Sequence, residues 1–191
     1  MNFSQVCQEV TSVVKRPDKL PDIRREVNAA ILHFCTDQNW AYDRAESAIP
    51  INSSEYTQAV ALSSLTRFRK VWYIKRGGTK DYLRKTNTVE LFANRCTDTR
   101  DTWYQVGTNI NVSLKALASA LDIGYYQFPP LLTDASGSFW MLDHLPYMVI
   151  DRVISKIFVD IGNNDEANIH EARTLAAYAS ARMDFGIPVN A

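Results

Sequence analysis

Little in this sequence is suited to metal, redox or nucleotide chemistry. Its three cysteines, Cys7, Cys35 and Cys96, are odd in number and show neither CxxC nor cysteine–histidine ligand spacing. That pattern excludes a secreted disulfide framework and a zinc knuckle. Cys7 and Cys35 fall on apolar faces of predicted helices, so both are expected in the core as small apolar residues. Histidine is as scarce: His33, His144 and His170 form no HExxH or HxH arrangement of the kind a catalytic metal uses. Arg76-Gly77-Gly78-Thr79-Lys80 has the composition of a phosphate-binding loop without its spacing, and reads as a tight turn. Ala135-Ser136-Gly137-Ser138 lacks the strand-to-helix setting of a serine nucleophile. The acidic pairs Asp98/Asp101 and Asp165/Glu166 lie in loops or near a helix start, where carboxylates complement the helix dipole. The chain is therefore expected to be no enzyme and to need no cofactor.

Long apolar runs are also missing. The start, MNFSQVCQEVTSV, has neither a basic region nor an apolar stretch, so no secretory leader is expected. The longest apolar segment, 145–161, is interrupted by Asp151, Arg152, Lys156 and Asp160, and falls short of the ~18 consecutive apolar residues of a membrane span. A soluble protein made in a cytoplasm is the expectation. Net charge is absent too, with 21 basic and 21 acidic residues. Its distribution is uneven: residues 60–100 hold ten Lys/Arg against three Asp/Glu, whereas 145–191 hold four against six. Such polarity suits asymmetric stacking on partners or on copies of the same chain, although a solvated strand face would carry the same pattern.

What the sequence does have is periodicity. In 3–15, Phe3, Val6, Cys7, Val10, Val13 and Val14 recur at helical spacing, and in 22–37, Ile23, Val27, Ala30, Ile31, Phe34 and Cys35 do the same. Pro17 and Pro21 punctuate the connection, which predicts a helical hairpin. From Trp40 to Trp140 short segments rich in β-branched and aromatic residues (57–62, 65–75, 86–92, 103–106, 109–113 and 123–128) alternate with turn residues, as in an antiparallel sheet or small sandwich. Residues 79–85 could equally form a helical turn, and 115–121 a short helix. Helical periodicity returns at Leu145, with Pro146 suited to a helix start and Gly162-Asn163-Asn164 to its stop. In the last helix, 165–185, the pattern predicts Ile169, Ala172, Leu175, Ala176, Ala179 and Met183 on the inner side.

These pieces predict an α+β, mainly α fold: N-terminal helices (1–39) and C-terminal helices (143–191) form one four-helix core around an inserted antiparallel β region (40–142). The basic residues Arg69, Lys70, Lys75, Arg76 and Lys80, interleaved with Phe68, Trp72 and Tyr73, form a candidate basic surface patch. One reading of region 67–85 is a stacking platform for single-stranded nucleic acid. The other is a half-buried strand whose aromatic side chains enter a core.

In this layout three stretches stand out: Asp122-Ile123-Gly124-Tyr125-Tyr126-Gln127-Phe128-Pro129-Pro130-Leu131-Leu132, then Phe139-Trp140-Met141-Leu142 leading into Pro146-Tyr147-Met148-Val149-Ile150, and Phe158-Val159-Asp160-Ile161-Gly162 before the acidic start Asp165-Glu166-Ala167. With the N-terminal hairpin, their order resembles the head–tail adaptor (connector) proteins of tailed bacteriophages over nearly the whole chain. The resemblance implies a homo-oligomeric ring, usually of twelve subunits, mounted beneath the phage portal protein around the channel through which double-stranded DNA passes. It implies a helical body, a platform for the next tail or neck component, and a place at the neck of the virion after assembly from the host cytoplasm. Carried onto this sequence, it makes Met183, Phe185, Ile187, Pro188 and Val189 the candidate portal-docking element. Another neck or tail-completion protein is the alternative within the structural class. Neutral overall charge suits a conduit that must let DNA slide.

Overall fold

The computed structural model describes residues 1–86, 101–133 and 137–186. The chain divides into a helical unit, Met1–Asp43 with Phe128–Ala191, and a β unit, Arg44–Gln127.

The helical unit is built by residues whose caps and stripes dictate their own ends. Helix α1, Phe3–Val14, begins at a capping box: the Asn2 side chain accepts from the Gln5 N–H, and the Gln5 side chain accepts from the Asn2 N–H, each at 2.9 Å. It stops where Lys15 enters the left-handed region at φ 56°. Helix α2, Leu20–Asp37, carries proline in its first turn, where the missing N–H has no intrahelical partner to lose. A five-residue helix α3, Trp140–His144, precedes α4, Pro146–Asp160. Helix α5, Asn164–Asp184, starts with Asn163 accepting from the Glu166 N–H and with Asp165 and Glu166 in its first turn. Val6, Val10, Ile23, Val27, Cys35 and Trp40 meet Met141, Leu142, Val153, Ile154 and Ile157 in one core, all fully or almost fully buried. Each such aliphatic side chain contributes roughly 1.5–3 kcal/mol relative to exposure.

The described residues of the β unit form two sheets. The first has the order β1–β7–β3, from β1 Arg44–Pro50, β3 Phe68–Arg76 and β7 Ala120–Gln127, antiparallel throughout. The second has the order β2–β6–β5–β4, from β2 Thr57–Ala61, β6 Asn109–Ser113, β5 Thr102–Val106 and β4 Arg84–Lys85. All its pairings are antiparallel except the short parallel contact of β4 with β5. Ile74, Ile110, Leu121 and Ile123 are completely buried between these strands, with Val60, Val112 and Trp103. Gly124 is required by the packing: the ring of Tyr73 lies across it, and a Cβ there would sit 2.3 Å from Cε1 of that ring.

The expected mainly helical fold with a four-helix core does not hold. Helix accounts for 47% and strand for 26% of the described residues, in five helices and seven strands, so this is an α+β fold with substantial sheet. Two physical causes are visible. The β segments bury enough apolar surface to form a core of their own, separate from the helical one. The last helix, meanwhile, gives the helical core only a thin face, with Ala167, His170, Thr174 and Ala181 as its buried residues. Its more apolar residues point the other way: Ile169 is 47%, Leu175 60% and Met183 87% exposed, and Ala172, Ala176 and Ala179 are exposed with them. The inward face predicted for 165–185 is thus the outward one. Strands β1 and β4 and helix α3 were not anticipated, and 115–121 forms a loop leading into β7 where a short helix was expected. The predicted strand 86–92 lies outside the described residues but for Thr86, and Cys96 lies outside them altogether.

Candidate docking surfaces

The end of the last helix is fixed by an aromatic cluster that the sequence assembles from three separate stretches. Trp40 is buried and donates its indole N–H to the Phe34 carbonyl at 2.8 Å, closing the end of α2. Its ring meets Trp140 at 5.7 Å and Tyr178 at 6.0 Å. Tyr42 stacks on Trp140 at 5.1 Å and on His144 at 5.0 Å, and Phe185 meets Tyr42 at 6.0 Å. The buried carboxylate of Asp43 accepts from the Trp140 indole N–H at 2.8 Å. The chain leaving α5 is pinned to this cluster through its backbone. Ala41 N–H donates to the Phe185 carbonyl at 3.3 Å, and Trp40 and Gly186 form an antiparallel bridge. At Gly186 a Cβ would lie 2.4 Å from the Arg182 carbonyl oxygen, so only glycine fits the turn.

Beside it, Tyr178 donates a short hydrogen bond to Asp37. Burial, with this bond and the carboxylate's charge, pushes the tyrosine hydroxyl well above its ordinary pKa. Farther along the same helix, His170 Nδ1 lies 2.6 Å from Asp151 Oδ1 and Arg152 holds both oxygens of Glu171 at 2.6 Å, which ties α5 to α4 through side chains that are not apolar.

The candidate portal-docking residues therefore separate. Met183 projects into solvent; Phe185 is half-buried in the aromatic cluster; Ile187, Pro188 and Val189 lie outside the described residues. What the sequence reading missed is the outward face of α5: Ile169, Ala172, Ala176, Ala179 and Met183 follow a 3-4-3-4 spacing, and no charge interrupts that line. The spacing was legible, but its direction was not.

The residues of the candidate basic patch are also dispersed by their neighbours. The Arg76 guanidinium is largely covered and pairs with Asp81 at 2.6 Å and Asp101 at 3.0 Å. Lys75 stands 4.0 Å from both Glu46 and Asp122. Arg69 lies over the ring of Tyr126 at 5.3 Å. Lys70 and Lys80 are exposed, and Trp72, 43% exposed, carries the Arg44 guanidinium on its face at 3.8 Å. Among the described residues no three His, Cys, Asp or Glu side chains converge as a metal site, and no helix is long and apolar enough to cross a membrane.

The family model described as SU10 adaptor protein matches residues 1–186. The chain belongs to the SU10 adaptor protein family. No curated protein matches it. The family match spans both the helical and the β unit, so adaptor architecture includes the two sheets as well as the helices. It agrees with the resemblance to head–tail adaptors of tailed bacteriophages, and the family role is that of a structural adaptor of the phage particle.

Proposed function

We propose that the chain is a head–tail adaptor subunit that forms a ring beneath the phage portal, closes the DNA channel after packaging and presents a platform for the next tail or neck component. The observation that carries this reading is the family match over 1–186. In this reading copies pack side by side through their helical units. Support comes from the outward line of α5, whose apolar residues exceed those of its buried face. Helical faces of that kind associate when a second helix covers them. The turn at Gly186 gives residues 187–191 a fixed point of departure, and Ile187, Pro188 and Val189 would dock on the portal with Met183 beside them. Many weak contacts repeated around a symmetric ring give strong attachment without a strong single contact. Double-stranded DNA would pass through the ring without sequence-specific binding, and the subunit would wait in the host cytoplasm until the portal is ready.

The direct test labels particles of the source phage with gold-conjugated antibody against the chain. Gold at the junction of head and tail is the expected result. Gold at the tail tip or fibres would retain a structural role and end the portal-docking one, and absence from particles would end both.

A further inference from the structure

Among the described residues four strands of the β unit lie at sheet edges, and the sequence protects three of them. Strand β1 turns the backbone groups of Arg44, Glu46, Ala48 and Pro50 outward, because Ile51 N–H pairs with the Ser119 carbonyl and sets the odd-numbered residues toward β7. Two charges and a proline therefore guard that edge. Strand β3 is irregular between Phe68 and Lys70 and between Val71 and Tyr73, and its outer side is partly covered where Leu83 N–H donates to the Ile74 carbonyl at 2.8 Å. Strand β4 is two residues long, and both are basic.

Strand β2, Thr-Gln-Ala-Val-Ala, has none of these protections. Its register is fixed by Leu114 N–H donating to the Tyr56 carbonyl and Leu62 N–H to the Thr108 carbonyl, so even-numbered residues face β6. The N–H and C=O groups of Thr57, Ala59 and Ala61 consequently point away from the sheet. Among the described residues they receive no backbone partner; the Ser64 hydroxyl on the Ala61 carbonyl is a side-chain contact. The edge is held in shape from its start. The Gln58 amide accepts from the Asn52 N–H at 2.9 Å and donates to the Asn52 and Glu55 carbonyls at 3.2 Å, clamping the loop before β2. Beside the edge runs an open groove of about 410 Å³ lined by Ile49, Pro50, Ile51 and Val60 together with the polar Asn52, Gln58 and Ser64; among the described residues no ionisable side chain lines it.

We propose that this edge receives an extended strand from a different protein chain, which adds a fifth strand to the β2–β6–β5–β4 sheet. Regularly spaced outward donors and acceptors are matched by a strand and not by a helix or a small molecule. The groove selects uncharged, bulky side chains at alternate positions of the incoming segment. A second copy's β2 fits poorly as the occupant: its own outward-edge residues are Thr57, Ala59 and Ala61, and Val60 alone would supply apolar bulk. The proposal needs no position in the particle and stands apart from the portal-docking reading.

The test uses the full chain, isotope-labelled for NMR, and the peptide acetyl-Lys-Val-Thr-Val-Thr-Val-Lys-amide with its fully N-methylated analogue. With the unmodified peptide alone, the amides of Thr57, Ala59 and Ala61 should exchange with deuterium about tenfold or more slowly, while Gln58 and Val60 stay as they were. Ala59→Pro removes one outward N–H without touching the ladder to β6, and should weaken peptide binding about tenfold. Should that variant fail to fold, Ala59→Lys places a guarding charge on the same edge and is expected to weaken binding to a similar degree. Absence of protection, or equal binding of the N-methylated peptide, would overturn the proposal. So would protection before peptide is added that rises with protein concentration, since the edge would then belong to a second copy.

Discussion

At the scale of single residues, Gly186, Trp140 and Tyr178 show how the chain leaving the last helix is held. Gly186 leaves no room for a methyl group against the Arg182 carbonyl. Gly186→Ala should therefore cost about 1–3 kcal/mol, read as a lower midpoint in denaturant titration with an unchanged slope. Trp140→Phe keeps the ring in the cluster but withdraws the indole donor from the buried Asp43. A loss of about 1–3 kcal/mol is expected, because a buried carboxylate deprived of a donor keeps its desolvation cost. Tyr178 makes stability depend on alkaline pH. Its folded-state pKa is raised above the ordinary 10.0, so the folded chain holds this proton more tightly than the unfolded chain does. The contribution is complete below pH 10 and is lost as pH rises through the alkaline range above it. Tyr178→Phe should flatten the fall in stability above that pH, measured by denaturant titration across the alkaline limb. An equally steep fall in the variant would remove Tyr178 as its source.

Among the elements, the last helix is the most informative. Its two faces have the same spacing and opposite fates. The face with Ala167, His170, Thr174 and Ala181 is small and partly polar, and it packs because small side chains allow α4 close and because Asp151 and Arg152 meet His170 and Glu171. The face with Ile169, Ala176 and Met183 is more apolar and lies in solvent. Ala181→Lys should accordingly prevent stable folding of the helical unit, whereas Ala176→Lys should change the stability of the free subunit by less than about 0.5 kcal/mol. If the outward face joins neighbouring copies, Ala176→Lys would still abolish ring formation in sedimentation velocity while leaving the monomer's thermal midpoint in place. Loss of monomer stability in that variant would mean the face serves the fold and not assembly.

For the whole molecule, charge is balanced in total, and two of the cations in the densest basic stretch have acidic partners. Lys75 and Arg76 face Glu46, Asp122, Asp81 and Asp101, so the candidate basic patch is broken at these two of its five residues. Nucleic-acid affinity depends on how many phosphates unpaired cations can neutralise. The chain is expected to bind a poly-dT oligonucleotide more weakly than about 10 µM at ~0.15 M salt, by fluorescence anisotropy. Tight, salt-sensitive binding lost on neutralising Arg69, Lys70, Lys75 and Arg76 would instead favour the stacking-platform reading of 67–85.

Local pattern determined much by itself: α1, α2, α4 and α5 begin and end where caps, prolines and the Gly162 stop place them, and β6 and most of β2, β3, β5 and β7 lie where β-branched and aromatic residues alternate between turns. These features depend on neighbours within a few residues, which sequence displays. Strand β1, Arg-Ala-Glu-Ser-Ala-Ile-Pro, has little intrinsic strand preference and exists because β7 pairs with it along its length. The pairing of Trp40, Tyr42 and Asp43 with Trp140 joins residues about a hundred positions apart, and no local spacing announces it. The direction of the last helix was likewise decided in three dimensions. Hydrophobicity favoured one face, but the close approach of α4 and the polar pairs beneath it selected the other. Tertiary structure alone also gave the strands a core of their own in place of a mainly helical one, because only folding reveals how much surface they bury against one another.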